Sequence, residues 1–137
     1  CAFEDCLILD QCLERHGDDW ETVFAEFEQL RQPDTVAIAE MALENYIEMR
    51  DVVRNPKFHL QKKLGFLLEE RHPSVFVPRY SMVMFHHLPY AEAQHRGAVQ
   101  QRILDELTVT ADRLEDVDLA RADMLVQQSL QQITSES

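Results

Sequence analysis

The stretch from residue 20 to residue 30, WETVFAEFEQL, repeats its large apolar side chains every three or four positions. These side chains are Trp20, Val23, Phe24, Phe27 and Leu30. Because an α-helix turns once every 3.6 residues, this spacing gathers them on one stripe. We therefore expect a helix that faces the core and ends before Pro33, since proline lacks the N–H that a helix interior needs.

The same spacing continues on both sides of this stretch and predicts an all-α fold of about six helices. Residues 3–16 carry too broad an apolar arc for an exposed helix, so we expect a mostly buried helix that ends at a left-handed Gly17. Asp18 followed by Glu21 predicts a capping box for the next helix. Further helices are predicted from the cap Asp34 to about Arg54, from Asn55-Pro56 to about His72, from Pro89 to about Thr108, and from Asp112 to about Gln132.

Residues 74–88 break this regularity. Most of them are apolar or aromatic, but they show no helical period, and Pro78 interrupts them. We therefore expect a buried, largely irregular crossing that contains a short turn of helix.

The composition limits the classes of partner. The chain has 137 residues with 13 Lys and Arg against 25 Asp and Glu, a net charge of −12, and 45% of its residues are hydrophobic. That is enough apolar material for one domain or part of one. The acidity argues against nucleic acid and anionic membrane surfaces, both of which attract clustered basic side chains. No apolar run approaches the roughly 20 residues of a membrane helix.

The cysteines indicate a reducing compartment. Cys1, Cys6 and Cys12 are an odd number without a CxxC pair, so we expect free thiols buried as small hydrophobic groups in a cytoplasmic protein. The chain also begins at Cys1 without an initiator Met. We therefore interpret residue 1 as a cut point inside a longer protein.

No motif for metal binding or catalysis is present. The six histidines are scattered and show none of the usual ligand spacings, so we expect no metal site. No serine has the context of a nucleophile elbow. The three glycines are isolated and form neither a P-loop nor a GxGxxG turn. We accordingly predict no catalytic residue in this chain.

Two polar side chains stand among apolar neighbours. Asn45 shares one stripe of its predicted helix with Met41 and Met49, and Tyr80 lies in the apolar crossing. A buried amide or phenol needs hydrogen-bond partners, because leaving it unpaired costs about 1–3 kcal/mol. Such groups either brace a core or face a polar ligand. The residues alone favour bracing, although Met49 would also suit a wall against a flat aromatic ligand.

Five segments together resemble a known family. They are AFEDC at 2–6, LRQPD at 30–34, NYIEMR at 45–50, FVPRYSMV at 76–83 and YAEA at 90–93. Their order and spacing closely resemble the C-terminal part of the kynurenine 3-monooxygenase family across residues 1 to about 96. The NYIEMR hexapeptide is the most specific of the five.

The resemblance implies a chemistry and a place in a larger fold. Members are α/β flavin monooxygenases that use FAD and NADPH to hydroxylate L-kynurenine to 3-hydroxykynurenine in tryptophan degradation and NAD biosynthesis. Residues 1–16 would be the end of a flavin-domain helix, and residues 17–137 the helical substrate-side cap. The glycine fingerprints would precede this chain. A bacterial-type member without the hydrophobic C-terminal anchor of animal members is implied.

The resemblance also assigns roles to five residues. Asn45 would help hold the amino-acid head group of the substrate, Tyr80 would contact its carboxylate region, and Met49 would form a wall beside the ring. Cys1 and Ala2 would begin the helix whose amino end points at the flavin, where backbone N–H groups favour negative charge. The implied partners are L-kynurenine and the protein's own flavin domain, and a homodimer stays open.

Two other functions remain open. An acidic helical interaction module could dock a partner through an apolar surface, and a related flavin hydroxylase could act on another aromatic substrate. Under the family interpretation, we expect the 137-residue chain alone to be catalytically inert and to retain no flavin.

Overall fold

The computed structural model describes residues 2–51, 54–86 and 88–135. These residues form α-helices and short 3₁₀ segments but no β-strand, which confirms the all-α prediction. The elements are α1 (Ala2–His16), α2 (Trp20–Asp51), α3 (Pro56–Arg71), α4 (Arg79–His86), α5 (Tyr90–Leu107), the 3₁₀ turn Leu114–Asp116 and α6 (Leu119–Ser135).

Helix α5 is the central element, because it contacts α2, α3, α4 and α6. The main apolar core lies where α3, α5, the 3₁₀ turn and α6 meet. Leu64 and Leu68 of α3 and Val126 of α6 are completely buried there. Among the described residues, most of the buried apolar side chains therefore lie from α3 onward.

Helices α1 and α2 form a hairpin around Gly17. Gly17 has a φ of 58°, and its N–H donates to the Leu13 carbonyl at 2.7 Å, so the predicted left-handed end of α1 is confirmed. The prediction that α1 is mostly buried is wrong for this chain. Cys12 is its one buried residue, while Phe3 is 89% exposed. The physical reason is that α1 packs mainly against one neighbour, α2.

The cap of α2 is one residue later than predicted. Asp19, rather than Asp18, accepts hydrogen bonds from the Thr22 N–H at 3.3 Å and from its hydroxyl at 2.7 Å. These bonds lower the pKa of Asp19. The apolar stripe that follows is only partly covered, since Val23 is buried but Trp20 and Phe24 remain exposed.

Helix α2 continues through Pro33, so the predicted break and the predicted cap at Asp34 are both wrong. A proline inside a helix costs about 3 kcal/mol. Tertiary contacts offset this cost on both sides of Pro33: Arg31 pairs with carboxylates of α1, and Asp34 accepts a hydrogen bond from the first turn of α5. Local propensity is overridden by packing here.

The later helix boundaries mostly follow the sequence. Asn55 caps α3 by accepting from the Lys57 N–H, and Pro56 takes the first helical position as predicted. Helix α5 begins after Pro89. Helix α6 begins at Leu119 rather than near Asp112, because the chain first makes the 3₁₀ turn.

The predicted irregular crossing is more ordered and less buried than expected. Its second half is helix α4, which has eight residues. Phe76 and Met82 are buried, but Tyr80 is 73% exposed and Phe85 is 77% exposed. The prediction for the cysteines holds only for Cys12, since Cys6 is exposed. Cys1 lies outside the described residues.

Candidate functional site

The three predicted substrate-side residues all lie on the surface of this chain. Asn45 is exposed near the end of α2, Met49 follows one turn later with 70% exposure, and Tyr80 is in the first turn of α4. The bracing role that the residues alone favoured is therefore wrong, because exposed side chains do not brace a core. The Tyr80 hydroxyl and the Asn45 amide can reach solvent or a ligand.

An ion pair joins the two residues that precede Asn45 and Tyr80 in sequence. The Arg79 guanidinium donates to the Glu44 carboxylate and so ties the start of α4 to α2. Asn45 follows Glu44 in sequence, and Tyr80 follows Arg79. The ion pair thus links α2 and α4 at the residues that precede Asn45 and Tyr80 in sequence, and Met49 lies one turn further along α2.

A groove of about 740 Å³ lies beside this surface, between α2, α3, α4 and α5. Apolar side chains such as Phe58, Phe66 and Phe76 contribute to its walls. Asn45, Met49 and Tyr80 are not among its lining residues. The predicted site is therefore an open surface next to the groove rather than the groove itself.

The amino end of α1 carries the other predicted contact. Ala2 is exposed there, and Cys1 lies outside the described residues. The first turn also contains two carboxylates, Glu4 and Asp5. Carboxylates near the amino end stabilise a helix through its dipole, but they also weaken the attraction of that end for an external anion.

A buried arginine compensates for these carboxylates. Arg31 of α2 is 7% exposed and donates from Nε to Asp5 Oδ1 at 2.6 Å and from Nη1 to Asp34 Oδ2 at 3.0 Å. Its Nη2 lies 3.7 Å from Glu4 Oε2 and makes no hydrogen bond with the described residues. Burial disfavours the charged guanidinium, but the hydrogen bond to Asp5 and the nearby carboxylates outweigh burial and raise the pKa of Arg31.

The same cluster reaches α5. Asp34 Oδ1 accepts from the Ala91 N–H at 3.1 Å, which satisfies a donor in the first turn of that helix. Burial and the nearby Glu4 carboxylate raise the pKa of the adjacent Tyr90 phenol. Sequence reasoning missed Arg31 as a functional candidate. The available signal was an Arg and an Asp three residues apart around a proline, but the partner on α1 is 26 positions away.

Two further properties concern ligands and membranes. Within residues 2–51, 54–86 and 88–135, no three His, Cys, Asp or Glu side chains lie together as a metal site would require. None of the helices in that part of the chain has the length and apolar character needed to cross a membrane.

Many large apolar side chains remain exposed. Most of them lie on α1, α2 and α4, where Phe3, Leu7, Tyr46, Met84 and Phe85 belong to this set. Scattered apolar side chains are normal on a surface, but so many on three helices indicate an interaction surface.

Known proteins share this sequence pattern. No protein-family model matches the chain. It is 46% identical over 130 residues to the kynurenine 3-monooxygenase of Myxococcus xanthus, which covers 95% of this chain and 28% of that protein. It is 49% identical over 120 residues to the enzyme of the same name from Stenotrophomonas maltophilia, covering 88% and 26%. For the Flavobacterium johnsoniae protein of that name the identity is 38% over 116 residues, covering 85% and 26%.

The chain thus spans little more than a quarter of the length of these relatives, and the similarity extends over most of the chain. The resemblance that the five segments indicated is confirmed. Over most of its length, the chain is therefore similar to the C-terminal part of kynurenine 3-monooxygenases.

Proposed function

We propose that this chain is the helical substrate-side part of an FAD- and NADPH-dependent kynurenine 3-monooxygenase. In the intact parent, the enzyme would hydroxylate L-kynurenine to 3-hydroxykynurenine in the cytoplasm. The chain would supply one wall of the substrate pocket and would be inert by itself. Residues 1–16 would belong to the flavin side and residues 17–137 to the cap.

The exposed position of Asn45, Met49 and Tyr80 is the observation that carries the proposal. An amide and a phenol can donate and accept hydrogen bonds, as recognition of an amino-acid head group requires. Met49 offers a flexible thioether to a flat aromatic ring. These groups are held by α2 and α4, which the Glu44–Arg79 ion pair joins. Rigid helices are suited to orient a substrate.

The flavin would approach the amino end of α1. The exposed Ala2 is small and leaves the backbone N–H groups accessible, which fits a contact with an electron-rich ring. When bound, FAD would supply the redox chemistry with NADPH as electron donor. The rest of the cofactor site would belong to the parent, because the isolated glycines of this chain form no dinucleotide-binding turn.

The exposed apolar side chains of α1, α2 and α4 support a docking partner as well. We assign that partner as the flavin domain of the same protein, since the relatives extend over nearly four times the length of the matched region. A non-enzymatic interaction module would use the same surface, and a second copy would also cover it.

The residue assignment is tested in the intact parent with Asn45→Ala and Tyr80→Phe. The matched control is Tyr46→Phe, which changes the neighbour of Asn45, an exposed tyrosine whose ring contacts Arg50. Loss of one hydrogen bond to a charged group costs about 1.5–3 kcal/mol, so we expect kcat/KM for kynurenine to fall by about 10- to 150-fold in each site variant and to stay unchanged in the control.

Wild-type turnover by both site variants would refute the assignment. A parent that fails to hydroxylate kynurenine but accepts another aromatic acid would favour the related-hydroxylase alternative. The prediction of inertness has its own measurement, which is the absorption spectrum of the purified 137-residue chain. An oxidised-flavin spectrum there would contradict it.

A further inference from the structure

We propose that Arg31 is a positioning residue for the reaction proposed above. It fixes the first turn of α1, which would face the flavin, relative to α2, which carries Asn45 and Met49. This inference rests on the proposed function. Among the described residues Arg31 is the only charged side chain that is buried. It contacts the first turn of α1 and belongs to the helix that carries Asn45 and Met49.

The contacts of Arg31 join three helices. Its Nε donates to Asp5 in the first turn of α1 at 2.6 Å, and its Nη1 donates to Asp34 on α2 at 3.0 Å. The second oxygen of Asp34 accepts from Ala91 in the first turn of α5 at 3.1 Å. One guanidinium and one carboxylate therefore set α1 and α5 against the middle of α2.

Arg31 acts at a distance from the substrate side chains. Asn45 is 14 positions further along the same helix, or about 21 Å at 1.5 Å per residue. Arg31 thus cannot touch a ligand held there, and its influence would pass through the rigid helix. Its removal would loosen the flavin-facing turn and would affect the substrate wall only indirectly, through the direction of α2.

Charge gives Arg31 a second effect. Asp5 lies in the turn that would face the flavin, and its carboxylate, once deprived of Arg31, would oppose added negative charge on the ring. Arg31 pairs with Asp5 directly and lies 3.7 Å from Glu4. Its loss would therefore make the bound flavin harder to reduce.

The experiment uses the FAD-loaded intact parent carrying Arg31→Met, which keeps the length of the side chain but removes its charge. The control is Arg15→Met. Arg15 pairs with Glu26 at the other end of α1, so this substitution also removes an ion pair between α1 and α2, but an exposed one. We measure hydroxylated product and hydrogen peroxide per NADPH oxidised, the midpoint potential of bound FAD, and the unfolding temperature.

For Arg31→Met we expect the share of NADPH oxidation that yields product to fall about threefold or more, because small misplacements of reacting groups cost large rate factors. The flavin midpoint potential should become more negative. Arg15→Met should change neither quantity. Arg31→Lys should recover part of both, since lysine restores the charge but not the two-sided geometry.

Wild-type coupling and potential in Arg31→Met would overturn the inference, as would equal changes in Arg15→Met. If Arg31→Met does not fold, Asp34→Asn and Arg31→Lys replace it. For these two variants we expect a smaller fall in the share of NADPH oxidation that yields product. An unchanged share would contradict the proposal. Failure of the wild-type parent to hydroxylate kynurenine would instead refute the proposed function, and the flavin potential would still report on Arg31.

Discussion

Acid should weaken the attachment of α6 to α3, because it protonates one carboxylate that joins the two helices. Asp123 of α6 accepts from Arg71 with both oxygens and from His72 Nε2 at 2.7 Å. The hydrogen bonds from Arg71 and then from His72 lower the pKa of Asp123 from 3.8 to about 2. The perturbation we consider is Asp123→Asn combined with a pH titration.

The magnitude follows from this difference in pKa. A drop from 3.8 to about 2 corresponds to at most about 2.5 kcal/mol. Solvent screening at a partly exposed ion pair reduces this to about 1 kcal/mol. Because the folded state has the lower pKa, the stabilisation is present above the unfolded value and is lost as the pH falls from about 5 to about 2.

Urea unfolding followed by far-ultraviolet circular dichroism measures the free energy of unfolding of the 137-residue chain. Near pH 7 we expect Asp123→Asn to cost about 1 kcal/mol, and the difference from wild type should shrink toward zero near pH 2. The control is Glu106→Gln, which removes an exposed ion pair between α5 and Arg121 of α6 and should cost less than about 0.5 kcal/mol. Equal costs in the two variants at neutral pH, or a difference for Asp123→Asn that persists undiminished at pH 2, would refute the reasoning.

Three further predictions concern packing and are checked by the same unfolding measurement. Leu64→Ala should cost about 2–5 kcal/mol because Leu64 is fully buried in the main core, whereas Phe66→Ala on the same helix, with Phe66 59% exposed, should cost less than half as much. Similar costs would contradict this location of the core. Gly65→Ala should stabilise the chain by about 0.5–1 kcal/mol, since its methyl group would meet its nearest neighbour at an ordinary 4.0 Å. Gly97→Ala should instead destabilise, because the new methyl would lie 2.6 Å from Arg79 Cδ and 3.3 Å from its Cβ, and a stabilising result would show that α4 moves aside freely.

Helix positions could be predicted where the deciding interactions are local. Gly17 and the Asn55-Pro56 pair act within one helical turn, and both boundaries are confirmed. Pro33 could not be assigned correctly from sequence, because the contacts that keep α2 continuous come from α1 and α5. The burial of α1 was overestimated for a related reason: an apolar arc indicates a surface to be covered but not whether the covering element is present.

The candidate site could likewise be predicted only in part, because local sequence pattern identifies residues but not their burial. The motif match and the helical stripe identified Asn45, Met49 and Tyr80, but local pattern could not tell an internal brace from an exposed polar group. Their exposure required the tertiary structure. The partners of Arg31 were out of reach for sequence reasoning, because ion pairs between distant positions leave no periodic signal.

The unbroken length of α2 has a mechanical consequence. Asn45 lies 12 residues beyond Pro33, so the helix between them is a lever arm of about 18 Å. A change of only about 5° in direction at Pro33, where helices commonly bend, would displace Asn45 by about 1.6 Å. The width of a cavity bounded by this arm is therefore governed by an angle set far from it, at the residues that bracket the proline.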